Sequence, residues 1–135
     1  MDGWPIAKNN ANVKHGDRTG AFKTRLKCMQ INLQHSSLAT ANLLKIIEED
    51  TDVICIQEPY NIGCKIGGLP HSRTVFTSGE GKKRAAIVVN DKHIYAILIS
   101  QLYDEDATII EAIVGSATLV IASMYFDLKR SIDQD

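Results

Sequence analysis

The stretch Asp52-Val53-Ile54-Cys55-Ile56-Gln57-Glu58-Pro59-Tyr60 decides the fold of this chain. Its apolar run is bounded by an acidic residue and by Pro59, which is the pattern of a buried strand. Such a strand delivers Gln57 and Glu58 to its carboxyl end, where ligands bind in open α/β sheets. A carboxylate there suits Mg²⁺, which takes oxygen ligands. The alternative is a strand-end glutamate that only meets solvent.

A second strand with a polar end is predicted upstream, over residues 26–32, and it ends at Asn32. Between the two strands the spacing predicts a helix, with Ser36 or Ser37 as the N-cap. Its apolar stripe is formed by Ala39, Leu43, Leu44, Ile46 and Ile47. Strand, helix and strand make one βαβ unit, whose two strands run parallel in one sheet. Asn32 and Glu58 are therefore expected at the same sheet edge.

The rest of the chain reads as further strands joined by turns. Strands are predicted at 74–77, 85–90, 94–99, 108–114 and 118–125, with a glycine-rich loop over 61–70 and a hairpin turn at Gly115-Ser116. No apolar stretch reaches the roughly 18 residues of a membrane span, so no membrane partner is expected.

Composition predicts one globular domain with a charged arm. The chain has 135 residues, 44% of them hydrophobic, and a net charge of −1. Residues 1–25 lack periodicity and are rich in Lys and Arg, which predicts a flexible basic arm that either attracts phosphate loosely or is a leader without a role. The arm lacks the apolar core of a secretory signal, so the protein is expected to be intracellular and not secreted.

The stretch Met29-Gln30-Ile31-Asn32-Leu33-Gln34-His35-Ser36, followed by a helix and by residues 52–60, resembles the endonuclease/exonuclease/phosphatase superfamily. More narrowly, it resembles the apurinic-type endonuclease domain of arthropod non-LTR retrotransposon polyproteins, which also contain a reverse transcriptase. The likeness continues through residues 81–89 and 119–127. It implies an α/β fold of the DNase-I-like type, a two-sheet sandwich, with residues 26–135 as a truncated, N-terminal portion of that domain.

The resemblance also implies roles for individual residues. Glu58 matches the glutamate that binds Mg²⁺ or Mn²⁺, and Asn32 matches the asparagine that supports the metal and the phosphate. Tyr125 matches a tyrosine whose hydroxyl steadies the phosphate. The implied partner is the phosphate backbone of DNA, and the implied place of action is the nucleus.

Further candidates lie near these positions. Lys82, Lys83 and Arg84 open a predicted strand and either contact a DNA backbone or form a solvated rim. His35 either approaches the substrate or is an ordinary loop histidine. Asp127 is interpreted as a polar strand end and not as a general base.

The 135-residue chain departs from the superfamily pattern in one respect. It has no Asp-x-Asn after Tyr125 and no histidine after His93, so the water-activating half of the site is absent. A nicking endonuclease domain present only in part, and inactive as such, is the first hypothesis. The second is a non-catalytic α/β remnant or binding module, and the third is an unrelated βαβ domain for a small phosphate ligand. A partial fold is also expected to leave an unpaired sheet edge that promotes association or aggregation.

Overall fold

Two β-sheets and one helix form three layers in the computed structural model, which describes residues 25–47, 50–70, 74–99 and 104–126. The elements are β1 (Cys28–Asn32), α1 (Ser37–Ile46), β2 (Val53–Gln57), β3 (Asn61–Ile62), β4 (Lys65–Ile66), β5 (Thr74–Phe76), β6 (Ala85–Val89), β7 (Tyr95–Leu98), β8 (Ala107–Val114) and β9 (Ala117–Met124). The first sheet has the order β1-β2-β6-β5 and the second has the order β7-β8-β9, and β3 and β4 form a separate two-stranded sheet. The predicted strands and helix are confirmed to within two residues at their ends.

Strand β2 is covered on both faces, which explains its continuous apolar sequence. Val53 and Cys55 face the second sheet, where they join a core with Ile87 and Ile110. Ile54 and Ile56 face the helix side, where they join a core that includes Leu43. The first sheet is therefore the middle layer of the molecule.

Helix α1 is anchored at its first turn and at one apolar position. Ser36 is the N-cap, and its hydroxyl accepts a hydrogen bond from the Ala39 amide at 3.0 Å. Leu43 is buried against the first sheet, whereas Ile46 at the helix end is exposed. The predicted stripe is wrong at Ile46, because the helix ends there and Ile47 turns to an extended conformation to reach the core.

The stretch over residues 61–70 is not a plain loop, contrary to the sequence prediction. Strands β3 and β4 pair antiparallel across a two-residue turn at Gly63-Cys64. Gly63 has a φ of 68°, which is the conformation that short hairpin turns require. Two-residue strands carry too little periodicity to be detected in a sequence.

The thiols of the three cysteines differ in environment. Cys28 lies in β1 and Cys55 in β2, and burial raises the pKa of Cys55 to about 12 and that of Cys28 to about 11. Cys55 lies in the core between the sheets and Cys28 packs against that core while partly buried, whereas Cys64 is exposed.

The second sheet has one apolar face turned away from the first sheet. Its exposed members include Tyr95, Ile97, Ile113, Val120 and Met124. Strand β9 ends this sheet within the described residues. No helix in the described part is long and apolar enough to cross a membrane.

The turn before β6 is closed by an acidic side chain from the turn before β8. The carboxylate of Glu105 accepts hydrogen bonds from the amides of Glu80 at 2.7 Å and Gly81 at 2.8 Å. The bond from Gly81 contributes most to lowering the pKa of Glu105. This contact holds the start of β6 close to the start of β8.

We expect Gly79→Ala to lower the free energy of unfolding by about 1–3 kcal/mol, because a side chain there would be strained both by the backbone conformation and by a steric clash. Gly79 has a φ of +77°, and a Cβ would lie 2.3 Å from Glu105 Oε2. Gly81→Ala is the matched control, since its nearest contact would be an ordinary 3.5 Å. Urea unfolding of both variants checks this, and equal losses would refute the assignment of strain to Gly79.

Candidate active site

The carboxyl ends of β1 and β2 meet at one edge of the first sheet. The two strands are parallel, and Asn32 pairs with Gln57 at their last position. Glu58 follows directly, so Asn32 and Glu58 lie at the same edge, as the sequence predicted. Their roles remain predictions.

The loop after β1 is fastened to the loop after β2. The Leu33 amide donates to the Gln57 carbonyl at 2.9 Å, and the His35 amide donates to the Glu58 carbonyl at 2.8 Å. The Asn32 side-chain oxygen accepts from the Gln34 amide at 2.8 Å. Leu33 is buried beneath this loop. Both backbone segments of the edge are thus fixed by hydrogen bonds.

Glu58 adopts a backbone conformation that non-glycine residues rarely take. Its φ is 52°, and those of Gln34 and His35 are 52° and 56°. Each such residue costs about 1–3 kcal/mol, and such residues cluster at functional sites. The Glu58 amide donates to the Arg84 carbonyl at 2.9 Å, which helps to hold the strained conformation.

The Glu58 carboxylate is half-buried and has no hydrogen-bond partner among the residues that the structure describes. An ionised carboxylate accepts through two oxygens. Those oxygens are therefore open to a cation or to water.

Tyr125 follows β9 and reaches the same region through Arg84 and Asp106. Its amide donates to the Asp106 carbonyl at 2.8 Å. The Arg84 guanidinium carbon lies 5.8 Å from the centre of the Tyr125 ring, within the range of a cation–π contact. The same guanidinium pairs with the Asp106 carboxylate. Because the Arg84 carbonyl also binds the Glu58 amide, Arg84 joins Tyr125 to Glu58.

His35 is exposed at this edge, beside Glu58. Its Nδ1 lies 2.9 Å from the Pro59 carbonyl oxygen. A carbonyl only accepts, so this contact requires a proton on Nδ1. The ring is therefore oriented with Nε2 directed elsewhere, which is compatible with either of the two predicted interpretations of His35.

The three cations before β6 do not act as one group. Lys82 is exposed, whereas Lys83 is only 7% exposed and its ammonium donates to the Gly79 carbonyl. Arg84 pairs with Asp106. Lys83 is buried and its side chain closes the turn before β6, so it is neither exposed for contact with a DNA backbone nor part of a solvated rim.

The side chains at this sheet edge offer a metal ion few protein ligands. No group of three or more His, Cys, Asp or Glu able to hold a metal occurs in the described part of the chain. Glu58, with the amide oxygen of Asn32 nearby, offers Mg²⁺ one carboxylate and leaves most positions to water or phosphate, which is an arrangement that Mg²⁺ accepts. Asp127 and residues 1–24 of the predicted arm lie outside the described residues.

Sequence reasoning missed the polar residues beneath the edge. Ser123 and Thr108 are buried hydroxyls between the two sheets, and Gln57 bonds to Ser123. Their only sequence signal is a small polar residue at an inward position of an otherwise apolar strand. That signal does not say what the hydroxyl contacts.

The fold is similar to that of a solved nuclease domain. No protein-family model and no curated protein matches the chain. A search of solved structures finds the endonuclease domain of TRAS1, a telomere-specific non-LTR retrotransposon, at 28% sequence identity and a TM-score of 0.64. The match covers 78% of this chain and 46% of that chain, so this chain spans less than half the length of the solved one. The predicted resemblance and the predicted α/β fold of the DNase-I-like type are confirmed.

Proposed function

We propose that this chain carries the cation-binding and phosphate-positioning part of a metal-dependent DNA endonuclease domain. The observation that supports this most is the placement of Asn32 and Glu58 at one sheet edge, with Tyr125 linked to Glu58 through Arg84, in a fold similar to a retrotransposon endonuclease domain. Target-DNA nicking during retrotransposition is the activity that this implies, and the nucleus is the corresponding location.

Each residue has a defined task in this proposal. Glu58 binds Mg²⁺ or Mn²⁺ with its free carboxylate, and Asn32 orients a ligand without adding charge. When bound, such a cation polarises a phosphoryl oxygen and neutralises the leaving oxygen. Tyr125 donates its hydroxyl to a phosphate oxygen that gains charge in the transition state, and one such donor contributes about 3 kcal/mol.

The DNA phosphate backbone is the proposed partner of the residues around this edge. Lys82 is exposed and stands two positions before Arg84, whose guanidinium contacts the Tyr125 ring. Phosphate contacts of this kind fix the position of DNA without reading its sequence. His35 is the second exposed residue that we place at the backbone.

A second candidate function is a non-catalytic module that binds metal or DNA. The presence of one free carboxylate, without a cluster of three acidic residues or histidines in the described part, favours it. In this alternative the apolar outer face of the second sheet and the last strand β9 serve association with another chain.

We expect weak Mg²⁺ or Mn²⁺ binding that is lost in Glu58→Gln. The substitution keeps the size of the side chain but removes its charge, and one carboxylate is the main attraction for the ion. Titration calorimetry measures the affinity. Glu111→Gln is the control, because Glu111 lies in the middle of β8, away from the edge. Equal affinity in the native chain and in Glu58→Gln would exclude Glu58 as the ligand.

A further inference from the structure

Two buried hydroxyls connect the second sheet to the first, directly beneath the candidate site. Thr108 and Ser123 are register partners on β8 and β9 and are 0% and 1% exposed. The Ser123 hydroxyl donates to the Ile56 carbonyl at 2.8 Å, and the Thr108 hydroxyl donates to the Ala85 carbonyl at 3.1 Å. Two paired residues of the second sheet thus bond to two adjacent strands of the first sheet, β6 and β2.

The same cluster includes the last residue of β2. The Gln57 side chain donates to the Ser123 hydroxyl at 3.1 Å, and Gln57 pairs with Ala85 across β2 and β6. We call this set, formed by Ile56, Gln57, Ala85, Thr108 and Ser123, the inter-sheet lock. Around it the core between the sheets is formed mainly by apolar side chains.

The inter-sheet lock is close in sequence to both proposed functional groups. Gln57 precedes Glu58, and Ser123 stands two residues before Tyr125. Glu58 belongs to the first sheet and Tyr125 follows the second, so their separation depends on how the sheets sit on each other. Apolar contacts are non-directional, whereas hydrogen bonds fix distance and angle.

We propose that Thr108 and Ser123 are positioning residues that set Tyr125 relative to Glu58, so that both reach one phosphate group. This inference rests on the proposed function. Neither hydroxyl touches the substrate. Each acts by holding β8 and β9 in place over the ends of β2 and β6.

The first test needs no ligand. Ser123→Ala and Thr108→Val remove one hydroxyl each, and Thr108→Ser retains it. Amide hydrogen exchange by NMR is expected to accelerate selectively at Glu58 and Tyr125 in the first two variants and to stay near the native rate in Thr108→Ser. Val114→Ala, at the far end of β8 in the same core, is the control for general loss of stability. Unchanged exchange at Glu58 and Tyr125, or acceleration equal to that in Val114→Ala, would overturn the inference.

The second test uses a short DNA duplex with Mg²⁺ and measures affinity by fluorescence anisotropy. Ser123→Ala is expected to weaken binding about threefold to tenfold in the native background, but not in a Tyr125→Phe background, because the two residues act together. A residue with only a structural role would give the same loss in both backgrounds, and that result would overturn the inference. A native chain that does not bind the duplex would instead refute the proposed function, and the exchange test would still decide whether the hydroxyls hold the two ends together.

Discussion

Supercoiled plasmid incubated with this 135-residue chain and Mg²⁺ is expected to remain supercoiled. In the proposed function Glu58 supplies a cation ligand and Tyr125 a phosphate donor, and no residue in the described part of the chain is assigned as the base that activates water. The 135-residue sequence has no Asp-x-Asn after Tyr125 and no histidine after His93. Catalytic groups act as a unit, and losing part of such a unit lowers the rate by about 10³ to 10⁶.

The informative control for this experiment is Glu58→Ala, assayed with Mg²⁺ and separately with Mn²⁺. Nicking by the native chain that disappears in Glu58→Ala would contradict the expectation. It would show that another group of this chain activates water, and Asp127 would then be the first residue to replace. Nicking that persists in Glu58→Ala would indicate a contaminating nuclease.

Leu43→Ala is expected to lower the free energy of unfolding by about 2–5 kcal/mol, the usual range for a buried leucine. Leu43 is 1% exposed and packs with Ile54 and Ile56 beneath the sheet edge. It is the buried apolar residue of α1, so the attachment of the helix to the first sheet depends on it. Urea unfolding gives the loss as a lower midpoint at unchanged slope.

Leu38→Ala tests the same chemical change on the solvent side of the same helix. Leu38 is 69% exposed, so its loss is expected to stay within about 0.5 kcal/mol. Similar losses for the two variants would mean that α1 does not pack as described. The core on the helix side would then have to be reassigned.

The βαβ unit was predictable because its local patterns agree with one another. A short apolar run between an acidic residue and Pro59 is typical of a buried strand, and Ser36 is a strong helix start. The handedness of βαβ units then makes β1 and β2 parallel. The sequence alone therefore predicts that Asn32 and Glu58 lie at one edge of the sheet.

The rest of the site depends on contacts between residues far apart in the sequence. Ser123 bonds to Ile56 across 67 positions, and Arg84 pairs with Asp106 across 22. The Lys83 side chain is buried through its hydrogen bond to the Gly79 carbonyl. Its local sequence does not show this contact, and therefore predicts the same environment for Lys83 as for its charged neighbours. No periodicity reports such pairs, since each partner alone has an ordinary local pattern.

The three left-handed residues at the sheet edge have a consequence for evolution and for engineering. In the described part of the chain, Gln34, His35 and Glu58 are the non-glycine residues with positive φ. A library selected only for thermal stability would therefore be enriched in glycine at these positions, since glycine adopts this conformation without a steric penalty. The same glycines would remove the Glu58 carboxylate that we propose as the cation ligand and the His35 ring that we place at the DNA backbone. Selection for stability and selection for ligand binding thus act in opposite directions on the same three positions. A sequence with non-glycine residues at all three positions indicates that selection for ligand binding was the stronger.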